Sequence, residues 1–444
     1  MRLRAHPCGP LTGRLRVPGD KSLSHRALML SAMAVGESRI TGLLEGEDVL
    51  ATAGALRRLG VDVARAEDGG WHVHGVGVGG FAEPDGVLDL GNAGTGVRLL
   101  MGLLAGHGFT SFLTGDASLR SRPMGRILTP LERMGAQATA RSRVRLPLAL
   151  TGSADLVPIT YETPVASAQI KSAVLLAGLH APGRTTVIES ARSRDHTERM
   201  LRLMGASITT GEGERGGHAV TVTGQVELAP AAFDLPADPS SAAFPLVAAL
   251  LRPHSDVVLP DIMANPLRTG LLATLAEMGA EIEILDGREQ SGERVADLRV
   301  RASALKGVTV PADRAPSMID EYPVLAVAAA FAEGTTVMDG LGELRVKETD
   351  RLSVMAEGLT ACGAAVEVED DRLVVHGRGR PPAGGAVIDA RHDHRIAMSF
   401  LVLGGAAERA VEVTGAETIA TSFPDFVGAM NSLGCSLAEV EEGA

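Results

Sequence analysis

The chain repeats one pattern six times. In each copy an apolar segment long enough for a buried helix is followed by a β-branched stretch and by an amphipathic helix that ends at a glycine. The closing glycines are Gly60, Gly135, Gly205, Gly279, Gly363 and Gly434, and successive ones lie 70 to 84 residues apart. A glycine directly after a helix predicts a left-handed C-cap. Six copies predict an α/β fold with repeated layers of helix and sheet.

Polar residues gather where the apolar helices are predicted to begin. The helices after the first are predicted at Asn92 to Leu104, Ser167 to Leu179, Ser240 to Leu251, Asp320 to Phe331 and His394 to Leu403. A helix start offers free N–H groups and the positive end of the helix dipole, and both favour anions. We therefore expect the six helix starts to converge on one cleft.

The first of these starts is the segment from Pro18 to Arg26. Pro18 and Gly19 form a turn signal, and the Asp and Ser that follow are good N-cap residues. Lys21, Ser22 and Arg26 then fall in the first turn, where Ser22 and Arg26 share a face. Two interpretations stay open from these residues alone: an anion site suited to phosphate, or a capped helix with solvated charges.

Composition limits the class of protein. The 444 residues carry a formal net charge of −12, which argues against nucleic acid as a partner. There is no uninterrupted apolar run of 18 residues and no signal-peptide pattern at the start, so we expect a cytoplasmic protein without membrane partners. The three cysteines, Cys8, Cys362 and Cys435, are scattered and predict neither a disulfide framework nor a zinc site.

Six motifs carry a family resemblance. They are Pro-Gly-Asp-Lys-Ser-Leu-Ser-His-Arg (18–26), Gly-Asn-Ala-Gly-Thr-Gly (91–96), Arg-Pro-Met (122–124), Ser-Ala-Gln (167–169), Arg-Val-Lys-Glu-Thr-Asp-Arg-Leu (345–352) and Asp-His-Arg (393–395). In this order they resemble the 5-enolpyruvylshikimate-3-phosphate synthase family, from end to end of the chain. Thr421, Ala168 and Arg194 depart from the commonest family pattern and, with Leu-Leu-Glu-Gly-Glu-Asp at 43–48, resemble its divergent class II subgroup.

The resemblance implies a fold and a reaction. The fold is a two-domain, inside-out α/β barrel with three units per domain, one domain at 20–234 and the other at 1–19 with 235–444, and a ligand cleft between them. The reaction transfers the enolpyruvyl group of phosphoenolpyruvate to the 5-hydroxyl of shikimate 3-phosphate by addition and elimination, releasing phosphate, in aromatic amino acid biosynthesis. No cofactor and no metal are implied, the expected assembly is a monomer, and the family is the target of glyphosate.

The resemblance also assigns residues. The predicted catalytic residues are Asp320 as the base, with Glu348 as the acid and Lys21 sharing proton delivery. The predicted shikimate 3-phosphate ligands are Lys21, Ser22, Arg26, Ser167, Ala168, Gln169, Arg194, Asp320 and Lys347. The predicted phosphoenolpyruvate ligands are Lys21, Gly94, Arg122, Gln169, Arg351 and Arg395. Arginine suits bidentate binding of phosphate and carboxylate. Neighbouring carboxylates would raise the pKa of Glu348, and Lys347 would lower it.

Several alternatives remain beside this interpretation. UDP-N-acetylglucosamine enolpyruvyltransferase shares the fold but uses a loop cysteine in the second unit, and the segment from Asp116 to Arg122 contains none. A non-catalytic phosphosugar-binding protein would have the cations without Asp320 and Glu348. For Asp320, the alternative to a catalytic role is that of a helix N-cap.

Two apparent motifs are set aside. The glycines at 75–80 match G-x-G-x-x-G, but the residues that follow cannot open a helix, so a dinucleotide site is not predicted. The run from His392 to His394 could supply metal ligands, yet no further cluster of histidine or carboxylate supports it.

Overall fold

The computed structural model describes residues 1–142, 144–214 and 216–440. The chain divides into two compact units. The inserted unit comprises Lys21–Leu235 together with Gln290–Glu293. The terminal unit comprises Met1–Asp20, Pro236–Glu289 and the chain from Arg294 onward.

The strands of the described chain are short. In chain order they are β1 (Arg2–His6), β2 (Thr12–Arg14), β3 (Val35–Thr41), β4 (Asp62–Arg65), β5 (Trp71–Val76), β6 (Leu88–Asp89), β7 (Thr110–Thr114), β8 (Gln137–Arg141), β9 (Arg145–Thr151), β10 (Thr160–Glu162), β11 (Arg184–Glu189), β12 (Ile208–Glu212), β13 (His218–Thr223), β14 (Ala232–Asp234), β15 (Asp256–Met263), β16 (Glu281–Gln290), β17 (Glu293–Arg301), β18 (Thr309–Val310), β19 (Glu333–Met338), β20 (Ala365–Glu369), β21 (Arg372–Arg378), β22 (Val387–Asp389), β23 (Val411–Thr414) and β24 (Ser436–Glu439).

The helices alternate with these strands. They are α1 (Lys21–Ala32), α2 (Glu47–Arg58), α3 (Gly94–Leu104), α4 (Ala117–Ser121), α5 (Gly125–Met134), α6 (Ala168–Gly178), α7 (His196–Leu203), α8 (Pro239–Leu250), α9 (Gly270–Glu277), α10 (Tyr322–Phe331), α11 (Arg351–Ala361), α12 (His394–Ala406) and α13 (Phe426–Ser432), with 3-10 turns at Ala312–Ser317, Gly342–Val346 and Ala416–Thr421. In the part of the chain that the structure describes, none of these helices has the length and hydropathy of a membrane span.

The repeat predicted from the sequence is visible in the sheets. The inserted unit contains four-stranded sheets in the orders β14-β3-β5-β4, β6-β7-β9-β8 and β10-β11-β13-β12. The terminal unit contains β2-β15-β17-β16, β18-β19-β21-β20 and β22-β23-β1-β24. In every sheet the first strand of this order runs parallel to the second, which pairs antiparallel with the third. The six α/β repeats therefore share one sheet topology.

The core of each unit is helical. In the inserted unit α1, α3 and α6 pack together, and in the terminal unit α8, α10 and α12 do so. These helices are buried on nearly every face, as the continuous apolar runs predicted, whereas most strands alternate buried and exposed residues. Strands on the outside and helices on the inside give each unit its inside-out character.

The predicted helix ends are confirmed. All six closing glycines have left-handed φ angles between +84° and +119°. Glycine is favoured there because it lacks the Cβ that makes such angles costly for other residues. Two helix starts were predicted too early: α3 begins at Gly94 rather than Asn92, and α10 begins at Tyr322 rather than Asp320. In both cases the preceding polar residues form a turn that leads into the helix.

Candidate active site

In the inserted unit a buried arginine, Arg26, lies in the first two turns of α1. Arg26 is 3% exposed and donates from Nε to Thr197 Oγ1 over 2.7 Å and from Nη2 to Ser172 Oγ over 2.8 Å. Its Nη1 donates to the carbonyl of Ser22 over 3.0 Å, which fits the predicted shared face. Residues from α6 and α7 thus fix the plane of the guanidinium, and rigid planar donors are suited to an anion with several oxygens.

Lys21 is the first residue of α1 and adds a second cation to this helix start. Its ammonium forms an ion pair with Asp48 in the first turn of α2, and its side chain is 18% exposed. Asp48 itself is buried. The ammonium is therefore held near the positive end of α1 while remaining accessible to solvent.

The starts of α3 and α6 are joined by side chains. Gln169 donates from Nε2 to Thr95 Oγ1 over 3.0 Å and accepts at Oε1 from Arg98 Nη1 over 3.2 Å. Ser167 is the N-cap of α6 and accepts from the backbone N–H of Ile170 over 3.5 Å, and Ala168 is the first residue of that helix. The predicted Ser-Ala-Gln motif therefore both begins α6 and connects it to α3.

Arg122 and Gly94 lie against each other in the same unit. Arg122 is 6% exposed and donates from Nη2 to Asn92 Oδ1 over 2.5 Å and to Ser118 Oγ over 2.9 Å. A Cβ added to Gly94 would lie 2.7 Å from Nη1 of Arg122. The absence of a side chain at position 94 therefore leaves room for the guanidinium.

A buried ion cluster supports the loop that carries Arg194. The ammonium of Lys171 lies 2.9 Å from a carboxylate oxygen of Glu189 and 2.9 Å from one of Glu198, and it donates to the carbonyl of Ser193 over 3.3 Å. Burial opposes the charge on Lys171, but attraction to the two carboxylates outweighs it and raises the pKa of the ammonium. The sequence analysis missed this cluster, since its members come from α6, β11 and α7.

In the terminal unit two of the predicted catalytic residues, Asp320 and Glu348, contact Arg351. This guanidinium is 1% exposed; its Nε donates to Asp393 over 2.7 Å and its Nη2 to Glu348 over 2.6 Å, and its Nη1 lies 3.4 Å from Asp320. Lys347 Nζ lies 3.6 Å from the same oxygen of Asp320. Burial opposes the charge on Arg351, but attraction to Asp393, Glu348 and Asp320 outweighs it and raises its pKa.

The structure answers the N-cap question for Asp320. The N-cap of α10 is Glu321, so Asp320 lies one residue before the cap and the capping interpretation is wrong. The Asp320 side chain instead faces Lys347 and Arg351, and its carbonyl accepts from Arg395 Nη1 over 3.0 Å. Three cations therefore meet at this one residue.

Asp393 has a structural role. Its carboxylate caps α12 by accepting from the backbone N–H groups of Arg395 (2.9 Å) and Ile396 (3.4 Å), and it also accepts from Arg351. These hydrogen bonds account for the Asp393 carboxylate as a helix cap and as a partner of Arg351.

A second buried arginine in the terminal unit was not predicted. The side chain of Arg268 is 2% exposed and donates to Asp20 over 2.9 Å, to Asp238 over 3.1 Å and to Ser240 Oγ over 2.9 Å. Burial and repulsion from Asp20 raise the pKa of Asp238 to about 6, although Arg268 acts in the opposite direction. The polar start of α8 is thus an ion cluster rather than an exposed anion site.

A group of potential metal ligands lies away from the predicted motifs. Asp195, His196 and Glu293 in the inserted unit each offer a ligand atom within 4.8 Å of the others. However, His196 Nδ1 already lies 2.6 Å from Glu293, and Arg199 Nε lies 2.9 Å from Asp195. The cluster is accounted for as a network of ion pairs.

Comparison with known proteins decides the family. A family model described as EPSP synthase (3-phosphoshikimate 1-carboxyvinyltransferase) matches residues 5–430. The chain belongs to the EPSP synthase family. It is 62% identical over 436 residues to the 3-phosphoshikimate 1-carboxyvinyltransferase of Paramagnetospirillum magneticum, covering 98% of each protein. It is 60% identical over 443 residues to that of Methylorubrum populi, covering 99% of this chain and 97% of the relative.

Solved structures agree with the EPSP synthase assignment. An EPSP synthase from Acinetobacter baumannii is 43% identical, with a TM-score of 0.86 over 99% of this chain and 100% of that one. The enolpyruvyl transferase NikO from Streptomyces tendae is 19% identical with a TM-score of 0.78 over 99% of this chain and 98% of that one, which shows a shared fold alone. The inside-out α/β fold predicted from the resemblance is confirmed.

Proposed function

We propose that this member of the EPSP synthase family transfers the enolpyruvyl group of phosphoenolpyruvate to the 5-hydroxyl of shikimate 3-phosphate and releases phosphate. The family match over residues 5–430 supports the reaction. The observation that carries the residue assignment is the arrangement at Asp320, which faces Lys347 and Arg351 and contacts Arg395 through its carbonyl. Such an arrangement fits a carboxylate that acts beside bound anions.

The polar residues at the starts of α1 and α6 in the inserted unit are assigned to shikimate 3-phosphate. Arg26 donates to the hydroxyls of Thr197 and Ser172 and to the carbonyl of Ser22, and these contacts orient its guanidinium. Its neighbours at the starts of α1 and α6 add an ammonium, hydroxyls and an amide to the set. The proposed ligands are Lys21, Ser22, Arg26, Ser167, Ala168, Gln169 and Arg194, with Lys347 and Asp320 from the terminal unit.

Phosphoenolpyruvate is assigned to the remaining cations. Arg122 is oriented by Asn92 and Ser118 and lies beside Gly94, where backbone without a side chain permits close approach of a ligand. Gln169 connects the starts of α3 and α6 through Thr95 and Arg98, which supports its assignment to both substrates. The proposed ligands are Lys21, Gly94, Arg122, Gln169, Arg351 and Arg395.

The chemistry requires a base, an acid and a leaving group. Asp320 takes the proton of the 5-hydroxyl while that oxygen bonds to C2 of phosphoenolpyruvate, and Glu348 or Lys21 delivers a proton to the methylene carbon. The tetrahedral intermediate then loses a proton from the new methyl group, the bond from C2 to the phosphate oxygen breaks, and inorganic phosphate leaves. Proton transfer by positioned side chains contributes about 10²–10⁴-fold to such reactions.

The sister enolpyruvyltransferase activity on UDP-N-acetylglucosamine is less well supported. That activity uses a cysteine in the second of the six α/β repeats, which belongs to the inserted unit. Here Cys8, Cys362 and Cys435 all lie in the terminal unit. The segment from Asp116 to Arg122 forms α4 with its N-cap and C-cap, and it contains two serines and two arginines but no cysteine. We infer in addition that a single chain is the working form, since it supplies every group named above.

The test is a coupled assay of both products. The purified chain is mixed with phosphoenolpyruvate and shikimate 3-phosphate, and the enol ether product and phosphate are followed together by ³¹P NMR. We expect both to form in equal amounts, and neither when one substrate is omitted. Product from UDP-N-acetylglucosamine, or phosphate without the enol ether, would overturn the proposal. Light scattering during turnover tests the single-chain form.

A further inference from the structure

Two cysteines far apart in the sequence lie side by side in the terminal unit. Strand β1 pairs antiparallel with β24, with His6 opposite Ser436. Cys8 follows β1 by two residues, and Cys435 directly precedes β24, so the ends of the paired strands bring both residues together. The two side chains are close enough for each to shift the pKa of the other. Both residues are partly exposed.

Cys8 and Arg252 share one acceptor, the carbonyl of Gly405. This carbonyl accepts from Cys8 Sγ over 3.7 Å, from the backbone N–H of Cys8 over 3.1 Å and from Arg252 Nε over 3.0 Å. The guanidinium therefore lies beside the Cys8 side chain, and a positive charge near a sulfur favours its thiolate form.

Arg252 is unusual among the buried arginines of this unit. It is 3% exposed and donates to the backbone carbonyls of Ala248 and Gly405. Among the residues that the structure describes, no carboxylate lies within ion-pair distance of it. A buried guanidinium gains from a nearby negative charge, and the Cys8 thiolate supplies one.

We propose that Cys8 and Cys435 form an oxidation-sensitive dithiol, in which the Cys8 thiolate reacts with peroxide and Cys435 then closes an intramolecular disulfide. The spacing of the cysteines along the chain predicts no disulfide framework, because Cys8 and Cys435 are 427 positions apart. The pairing of the first strand with the last removes that separation.

The reaction balances with hydrogen peroxide as the oxidant. The Cys8 thiolate attacks one peroxide oxygen, the O–O bond breaks, and Cys8 becomes a sulfenic acid while hydroxide leaves and takes up a proton as water. The Cys435 sulfur, losing its proton, then attacks the Cys8 sulfur and displaces a second water. Overall two thiols lose two electrons and two protons to one peroxide. The sulfurs need to approach to about 2.05 Å, the length of a disulfide.

The third cysteine provides an internal control. Cys362 at the end of α11 is buried, and burial raises its pKa to about 12. By contrast, the hydrogen bond from Cys435 and the charge of Arg252 overcome burial and lower the pKa of Cys8 to about 6. The same hydrogen bond raises the pKa of Cys435 well above its usual range, with burial adding to the effect. The three thiols should therefore differ clearly in reactivity.

The first experiment measures reactivity peptide by peptide. The reduced, folded protein is pulsed with iodoacetamide between pH 5 and 9, then digested with trypsin, which places Cys8, Cys362 and Cys435 in separate peptides (5–14, 352–372 and 410–444). We expect Cys8 to alkylate at least about ten-fold faster than either other cysteine at pH 7. Its rate should level off above pH 7, and the Cys435→Ala variant should move that midpoint to higher pH.

The second experiment follows the product of oxidation. After treatment with hydrogen peroxide, we expect the intact mass to fall by two hydrogens and the peptides 5–14 and 410–444 to be joined. The Cys362→Ser variant should behave identically. The Cys8→Ser variant should form no such product, and Cys435→Ser should accumulate oxygen adducts on Cys8 instead. All three variants should retain enzyme activity, which shows that they fold.

Three results would overturn the proposal. They are equal alkylation rates for the three cysteines at pH 7, oxygen adducts on Cys8 in the unaltered protein without joined peptides, and joined peptides found only between two chains. The assay for phosphate release is independent of all three, so failure here would leave the proposed enzyme activity untouched.

Discussion

The two units differ in the groups that contact the arginines at their helix starts. In the inserted unit, Arg26 and Arg122 donate to hydroxyl, amide and carbonyl oxygens, which are neutral. In the terminal unit, Arg351 and Arg268 are oriented by carboxylates, with Asp393, Glu348 and Asp320 around the first and Asp20 and Asp238 beside the second. The units share one topology, so the difference lies in the residues placed at the helix starts rather than in the fold.

This contrast indicates a division of labour. A hydroxyl, amide or carbonyl oxygen orients a guanidinium without bringing a negative charge of its own, and an oriented guanidinium suits bidentate binding of phosphate. A guanidinium held by carboxylates instead keeps acidic groups in fixed positions, as proton transfer requires. We therefore expect substitution of Arg26 or Arg122 to change mainly substrate affinity, and substitution of Asp320 or Glu348 to change mainly turnover and its response to pH.

The largest effect is expected at Asp320. Replacing it with asparagine keeps the shape of the side chain but removes the base, so we expect kcat to fall by about 10²–10⁴-fold with little change in the affinity for shikimate 3-phosphate. Stopped-flow turnover and calorimetric binding measure the two quantities separately. The matched control is Asp339→Asn, which removes a carboxylate paired with the exposed Arg372. A variant with near-normal kcat would leave Asp320 no catalytic role.

Arg26 tests the other side of the comparison. A lysine at this position keeps the charge but cannot contact Thr197 and Ser172 with a planar fork. Loss of one charge-assisted hydrogen bond corresponds to about 1.5–3 kcal/mol, so we expect KM for shikimate 3-phosphate to rise by about 10–150-fold while kcat changes less.

Arg39→Lys is the control for Arg26→Lys, because Arg39 is an exposed residue of the same unit that pairs with Asp68. A fall in kcat at unchanged KM in Arg26→Lys would contradict the proposed division between binding and chemistry.

The sequence predicted the features that depend on local pattern. The repeat, the buried helices and the left-handed glycines all follow from periodicity and from the conformational freedom of glycine. The residues at the starts of α1 and α6 were also found, because N-capping and dipole effects act within one turn.

The sequence could not predict the ion clusters. Arg268 contacts Asp20 across 248 positions, and Lys171 meets Glu189 and Glu198 from two other elements. Nothing in the spacing of these residues shows which charges the fold brings together. The start of α10 was placed two residues early for a related reason: Asp320 resembles a cap locally, but its side chain is drawn to Lys347 and Arg351.

Asp238 gives a smaller effect that depends on pH. Its pKa is raised to about 6 by burial and by Asp20, so the folded protein binds this proton more tightly than the unfolded chain does. Stability from this group is therefore present at low pH and is lost as the pH rises from about 4 to 6. An asparagine cannot ionise, so the melting temperature of Asp238→Asn relative to the unaltered protein should rise by a few degrees, about 2–4 °C per kcal/mol, over this range.

Scanning calorimetry of both proteins between pH 4 and pH 7 measures the difference for Asp238→Asn. Asp89→Asn, an exposed carboxylate of the inserted unit, serves as the control and should show no trend. A relative melting temperature that stays constant or falls with pH would contradict the raised pKa.

The smallest expected effect concerns Gly94 and the inhibitor glyphosate, which occupies the phosphoenolpyruvate site in this family and is the longer ligand. A methyl group at position 94 would meet Arg122 Nη1 at 2.7 Å and Arg98 Nη1 at 3.2 Å, so the end of the Arg122 side chain must shift. If the shorter pocket is the main consequence, Gly94→Ala weakens glyphosate more than phosphoenolpyruvate, and the ratio of Ki to KM rises by about ten-fold. If displacement of Arg122 dominates, both ligands weaken together and the ratio stays constant. The control is Gly54→Ala, where an added Cβ meets nothing within 4 Å. Inhibition kinetics on the two variants distinguish the outcomes, and a constant ratio would show that Gly94 makes room for Arg122 rather than setting the length of the pocket.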